Sequence, residues 1–169
     1  TEHLKNVFRD KRFPYPKPVE LVTDLVRAFT SGKTDAIVLD FFGGSGTTVE
    51  AVMNANASDQ GSRQAILVTN NEVSAGDNAR LRSAGHRKGD ASWEARGIFE
   101  YVARPRIEAV TSGIRPDGSK FSEGFEENVA LFELTYETPL SVRHNRAFER
   151  IAPMLWLRAG SAGRIIDDL

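Results

Sequence analysis

The chain has 169 residues, 40% of them hydrophobic, with 22 basic and 23 acidic side chains and a formal net charge of −1. That length suits one domain with a modest core, and the near-neutral balance argues against a main nucleic-acid-contacting piece, which would carry a basic face. The lack of cysteine excludes a disulfide framework and a thiolate metal site, three scattered histidines argue against a metal held by histidine, and no run is apolar enough to cross a membrane.

Taken in chain order, residues 1–16 read as an irregular arm, because Pro14, Pro16 and Pro18 oppose regular structure. Pro18 suits the first residue of a helix whose apolar stripe is Val22, Leu25, Val26 and Phe29, with Gly32 as its end. The run Ala36-Ile37-Val38-Leu39 reads as a buried parallel strand, and Val49, Val52 and Met53 recur at helical spacing after it. This predicts a strand over about 36–41 and a helix from Ser45 or Gly46 to Asn56. After the turn Asp59-Gln60-Gly61-Ser62, a second strand is expected over about 64–69.

Residues 73–92 predict a loop with a helical turn near Asp77 to Arg82. Trp93 to Thr111 predicts a helix with Ile98, Val102, Ile107 and Val110 toward the sheet, kinked at Pro105 or restarted there. Residues 115–120 form a turn, and Asn128 to Tyr136 reads as a third strand. Ser141 to Ala159 reads as a helix bent at Pro153, and residues 164–169 look like a strand cut short. Trp93 and Trp156 suit packing better than base stacking. Two basic clusters, Lys5, Arg9, Lys11 and Arg12, then Arg80, Arg82, His86, Arg87 and Lys88, suit solvated loops or phosphate contact. With no signal peptide, Asn56-Ala57-Ser58 is a chance match to the glycosylation pattern, and the cytoplasm is the expected compartment.

The chemistry concentrates in Asp40-Phe41-Phe42-Gly43-Gly44-Ser45-Gly46-Thr47-Thr48. Glycines between a strand and a helix allow a sharp turn and close approach of a ligand to helix-start amides. A phosphate-cradling P-loop would need a lysine after the last glycine, where Thr47 stands. A dinucleotide turn would need a small residue where Val49 stands. An acid directly before the turn and a second one after the next strand suit S-adenosylmethionine instead. Asp40 is the first acid. Glu72, following Asn70 and Asn71, is the second, placed for the ribose hydroxyls, with Asn71 the nearest substitute. Capping the turn through its backbone amides is the alternative role for Asp40, and the flanking glycine pattern favours cofactor contact. Phe41 and Phe42 suit one core position and one wall of the cofactor pocket.

Upstream stands Tyr15-Pro16-Lys17-Pro18, with Leu21 three residues later. Together with Val38-Leu39-Asp40-Phe41-Phe42-Gly43-Gly44-Ser45-Gly46-Thr47-Thr48, this resembles the amino-methylating DNA methyltransferases, above all the adenine-N6 modification subunits of type III restriction–modification systems. The family form has alanine where this chain has Gly44. The likeness runs over residues 13–72 and more loosely over 97–157. It implies an α/β, Rossmann-like methyltransferase half-sheet of parallel strands in the order 3-2-1. Its parts would be an arm with a pocket motif (1–17), the S-adenosylmethionine-binding portion (18–140), and a C-terminal helix leading to a further segment (141–169). The first strand would be an unpaired edge that a second copy or a loop would cover.

The resemblance also makes Lys17 and Pro18 part of the cofactor pocket, near the methionine end. It implies methyl transfer to adenine N6 of a flipped base in double-stranded DNA, with a restriction subunit and a second copy as partners. The family's catalytic Asp/Asn/Ser-Pro-Pro-aromatic motif has no counterpart, since no Pro-Pro pair occurs. The chain is therefore read as the cofactor-binding half of a larger enzyme, holding no catalytic or metal-ligating residue and inactive alone. The alternatives are a divergent enzyme with a replaced catalytic motif, a cytosine-N4 methyltransferase, and a non-catalytic assembly module of a restriction–modification complex.

Overall fold

The computed structural model describes residues 2–125, 127–134, 136–144, 147–160 and 163–165. Two compact units divide the chain, Thr1–Glu127 and Asn128–Leu169. The first opens with helix α1 (Glu2–Phe8), whose Leu4, Val7 and Phe8 are buried. Their spacing is that of an amphipathic helix. The expected irregular arm is thus corrected over residues 2–8. The prolines act at their own positions, and residues 2–8 contain none.

Helix α2 (Val19–Phe29) follows Pro18, which sits just outside it with φ −60° and ψ 125°. Val19 and Val26 are buried and Val22 packs with them, whereas Leu25 and Phe29 are exposed. Strands β1 (Ile37–Asp40) and β2 (Gln64–Leu67) pair in parallel, with Ile37 opposite Gln64 and Asp40 opposite Leu67. Helix α3 (Thr47–Asp59) joins them and is buried on most of its surface, as expected of a helix packed on several sides. Its Ala51, Val52 and Ala55 meet α2 together with Val38 and Ala65 of the sheet. Its Val49 and Met53 form a second cluster with Ile107, Val110 and Leu67.

The far end of α3 is held by Arg63. Its guanidinium grips Asp59 with two bonds of 2.9 and 2.7 Å and donates to Thr30 Oγ1 at 2.6 Å. Asn56 is buried there and exchanges hydrogen bonds with the Arg63 backbone, a poor setting for a glycosylation acceptor.

Beyond β2 come α4 (Ala75–Ser83), capped by Ser74 accepting from the Asp77 amide, and the short α5 (Ala91–Glu94). A π-helical segment (Phe99–Ala103) then runs into α6 (Arg104–Ser112), with Pro105 in its first turn. Pro105 therefore lies where the helix passes from π to α geometry, the change of winding accommodating its missing N–H. Trp93 is buried, a packing residue as expected. Val102 packs against α1 rather than the sheet, while Ile107 and Val110 pack on α3 and Leu67.

The two strands form a two-stranded sheet. Residues 128–134 and 136, expected as a third strand, carry no regular secondary structure; Thr135 lies outside the described residues. Alternation alone does not make a strand, because a strand also needs a neighbour for its backbone bonds. Within the second unit are α7 (Pro139–Arg143) and α8 (Phe148–Arg158). Pro153 lies inside α8, and the expected single helix is divided ahead of it. Most of the expected strand at 164–169 lies outside the described residues.

Candidate functional site

The turn between β1 and α3 is built by three glycines with different tasks. Gly43 lies so close to β2 that an added Cβ would fall 2.1 Å from Leu67 Cδ1, and its amide donates to the Val68 carbonyl at 3.2 Å. Gly44 and Gly46 take φ of +50° and +78°, where a side chain is strained. A Cβ at Gly44 would meet the Phe42 carbonyl at 3.8 Å and Ile98 Cδ1 at 3.9 Å, both ordinary contact distances. At Gly46 it would meet Ile107 at 3.4 Å and the Ala103 carbonyl at 3.6 Å. What crowds Gly46 is therefore α6 with the π-helical segment before it, behind the turn.

Asp40 stitches the turn together. Its Oδ1 accepts from the Phe42 amide at 3.1 Å and its Oδ2 from the Thr48 hydroxyl at 2.6 Å. Capping, one of the two readings of this residue, is what these bonds perform. Phe41 and Phe42 are both exposed, Phe42 by 95%, so neither is the expected core residue. Ser45 and Thr47 are buried, Thr48 is half-buried, and their hydroxyls are engaged within the protein. Lys17 and Pro18 are exposed at the start of α2.

Glu72 is exposed, and its backbone carbonyl accepts from the Ile98 amide at 2.9 Å. Ile98 also borders Gly44, so Glu72 and the turn share a neighbour. Asn71 is differently placed. Its amide donates to the Glu94 carbonyl and carboxylate, and its oxygen accepts from the Glu100 amide at 3.1 Å. Both ends of that side chain are occupied by α5 and the π-helical segment.

Behind the turn lies a buried charged network that the sequence reading missed. Arg106 of α6 is 1% exposed and Glu50 of α3 is 3% exposed. Arg106 Nε donates to Glu50 Oε2 at 2.7 Å. Its Nη1 donates to Thr47 Oγ1 at 2.8 Å, to the Ser45 carbonyl at 3.2 Å and to Ser45 Oγ at 3.3 Å. His3 Nε2 lies 2.5 Å from the other Glu50 oxygen. Burial alone would push the Glu50 carboxyl up, but the His3 hydrogen bond and the Arg106 charge outweigh it and hold it below its ordinary value. Among the described residues no buried side-chain polar atom lacks a partner. The signal for Arg106 was its place on the apolar face set by Val102, Ala109 and Val110, where a charged residue requires a partner.

The sequence that forms this turn is similar to those of known proteins. Residues 1–74 match the model of the DNA methylase family, the N6 and N4 methyltransferases. The chain is similar in sequence to DNA methyltransferases. It is 43% identical over 110 residues to the type III restriction-modification enzyme EcoPI Mod subunit of Escherichia phage P1, covering 65% of this chain and 15% of that protein. It is 33% identical over 114 residues to the StyLTI Mod subunit of Salmonella typhimurium, covering 68% and 16%. The type II methyltransferase M.KpnI of Klebsiella pneumoniae is 38% identical over 71 residues, covering 42% and 16%. The matched stretch thus spans only about one-sixth of these relatives. The Mod-type recognition made from the glycine turn and the Tyr-Pro-Lys-Pro motif agrees with them. The α/β architecture is compatible with a methyltransferase fold, and no helix among the described residues is long and apolar enough to cross a membrane.

Proposed function

We propose that this chain is the S-adenosylmethionine-binding part of a site-specific DNA adenine-N6 methyltransferase of a restriction–modification or phage-defence system, working in the cytoplasm. The observation that carries the reading is the turn itself: Asp40, three glycines, two of them at positive φ, and the start of α3, within the stretch matching DNA methylases. The residues fit such a ligand. Asp40 and Glu72 supply acceptors for its polar groups, and Phe41 and Phe42 supply exposed rings for its adenine. Gly44, Ser45, Thr47 and Thr48 supply backbone amides, Gly43 and Gly46 shape the turn with their amides engaged at the Val68 and Gly43 carbonyls, and Lys17 and Pro18 complete the methionine end. Asn71, tied to Glu94 and the Glu100 amide, fixes the backbone next to Glu72.

The cofactor supplies an electrophilic methyl group when bound; this chain's share is to hold and orient it. Duplex DNA is met through the parent protein, with a restriction subunit and a second copy as partners. Of the 3-2-1 sheet order, the parallel β1–β2 pair is compatible with the 2-1 portion, and no third strand forms among the described residues. The domain boundaries given above, with a cofactor-binding portion over 18–140, are part of the proposal too. Titration calorimetry with S-adenosylmethionine tests the reading. Saturable binding that weakens in Asp40→Asn is expected. A correctly folded chain that takes up no cofactor would refute it. In the same preparation, the chain alone is expected to transfer no methyl group to DNA, for want of the Pro-Pro motif.

A further inference from the structure

We propose that Arg106 is a positioning residue for the cofactor turn, fastening Ser45 and Thr47 to Glu50 across the contact between α3 and α6. The inference rests on the cofactor reading above for its functional half, and on geometry alone for its structural half.

Three of the four hydrogen bonds given by Arg106 end on the turn: at the Ser45 carbonyl, the Ser45 hydroxyl and the Thr47 hydroxyl. The fourth ends on Glu50, whose second oxygen meets His3 of α1. A guanidinium can do this because its planar fork sends donors toward two groups at once. Such a cluster is not explained by stability. A buried ion pair is commonly replaced by apolar side chains of similar volume at no loss. What apolar side chains cannot do is hold a carbonyl and two hydroxyls in one fixed arrangement.

The surroundings fit that task. Ile107 and the Ala103 carbonyl back Gly46, so α6 and the π-helical segment before it form the rear wall of the turn. The π-helical segment leading into α6 anchors Asn71 through the Glu100 amide, and Ile98 anchors Glu72. One continuous stretch, residues 98–107, therefore touches both the glycine turn and the Glu72 segment. Arg106 is its attachment to the turn, and the stretch fixes the spacing of the two halves of the site before any ligand arrives.

The test uses the 169-residue chain and the double variant Glu50→Gln with Arg106→Met, which removes both buried charges together and leaves neither unpaired. Two quantities are read: backbone amide exchange by NMR without ligand, and S-adenosylmethionine affinity by calorimetry. Amides of Ser45 to Thr48 are expected to exchange at least about tenfold faster while those of Ala51 to Ala55 keep their parental rates. The dissociation constant is expected to rise roughly ten- to a hundredfold, the worth of one or two charge-assisted hydrogen bonds. Unchanged exchange at the turn, or equal acceleration throughout α3, overturns the proposal. So does a loosened turn with unaltered affinity. A parent chain that binds no cofactor refutes the cofactor reading instead, and the exchange data still decide whether Arg106 holds the turn. If the double variant does not fold, Arg106→Lys decides by the same measurement. Its single ammonium keeps charge beside Glu50 but lacks the fork, so a turn with parental exchange overturns the role. Failure of Arg106→Lys to fold also overturns a role confined to the turn.

Discussion

Gly43→Ala tests the packing of the turn at a residue whose own amide is already engaged at the Val68 carbonyl. An added Cβ would lie 2.1 Å from Leu67 Cδ1, 2.3 Å from Cγ and 2.9 Å from Cδ2, whereas ordinary contact begins at 3.4 Å. Because Cγ is too near as well as both methyl carbons, rotation about the outer bond of Leu67 gives no relief. The whole side chain must move into the cluster of Val49, Met53, Ile107 and Val110, or β1 must part from β2. Overpacking of this kind costs about 1–3 kcal/mol. For a chain of this length each kcal/mol lowers the melting temperature by about 2–4 °C, so a fall of roughly 2–12 °C is expected. Thermal melts followed by circular dichroism read it. Leu67→Ala removes the colliding atoms, so in that background Gly43→Ala should cost at least about 1 kcal/mol less, a coupling between touching residues. Equal costs in both backgrounds would refute the steric argument, and so would a single variant melting within about 1 °C of the parent.

Three further outcomes follow from the same contacts. The Glu50 carboxyl is held below its ordinary value, so its pairing stabilises the fold above the unfolded-state pKa of about 4.3 and that stability is lost as pH falls through the lower folded-state value. The stability gap between the parent and Glu50→Gln should be widest above about pH 5 and close on further acidification; a gap independent of pH would contradict the pairing. Asp40→Ala should weaken S-adenosylmethionine binding and also loosen the fold by about 1–3 kcal/mol, since the Phe42 amide and Thr48 hydroxyl lose their acceptor; unfolding in urea separates the two effects. Glu72→Gln should weaken S-adenosylmethionine clearly but hardly affect an analogue lacking both ribose hydroxyls. Equal weakening of the two would assign Glu72 a structural role.

What was legible in the sequence was what local chemistry dictates. Gly43 to Gly46 between an apolar run and a helical one announced the turn, and Pro105 announced the start of α6. Asp40 was legible as a position and less so as a role, because a carboxylate before a glycine turn can cap it as well as meet a ligand. The two aromatic residues after it could not be assigned to core or surface, since that depends on what lies beyond the end of β1. The third strand failed for a related reason: Val129 and Leu131 alternate as a strand requires, yet alternation does not specify a partner. Arg106 was hidden most fully. Its partners, Ser45, Thr47, Glu50 and through it His3, lie 56 or more residues away along the chain. Nothing within a helical window distinguishes it from the half-buried Arg104 two residues before, except that one falls on the buried face. The residues that contact a ligand can be nominated from a local motif because the motif is contiguous. The residues that hold that motif still come from elsewhere in the chain, so they become visible only when the fold brings α6 behind the turn.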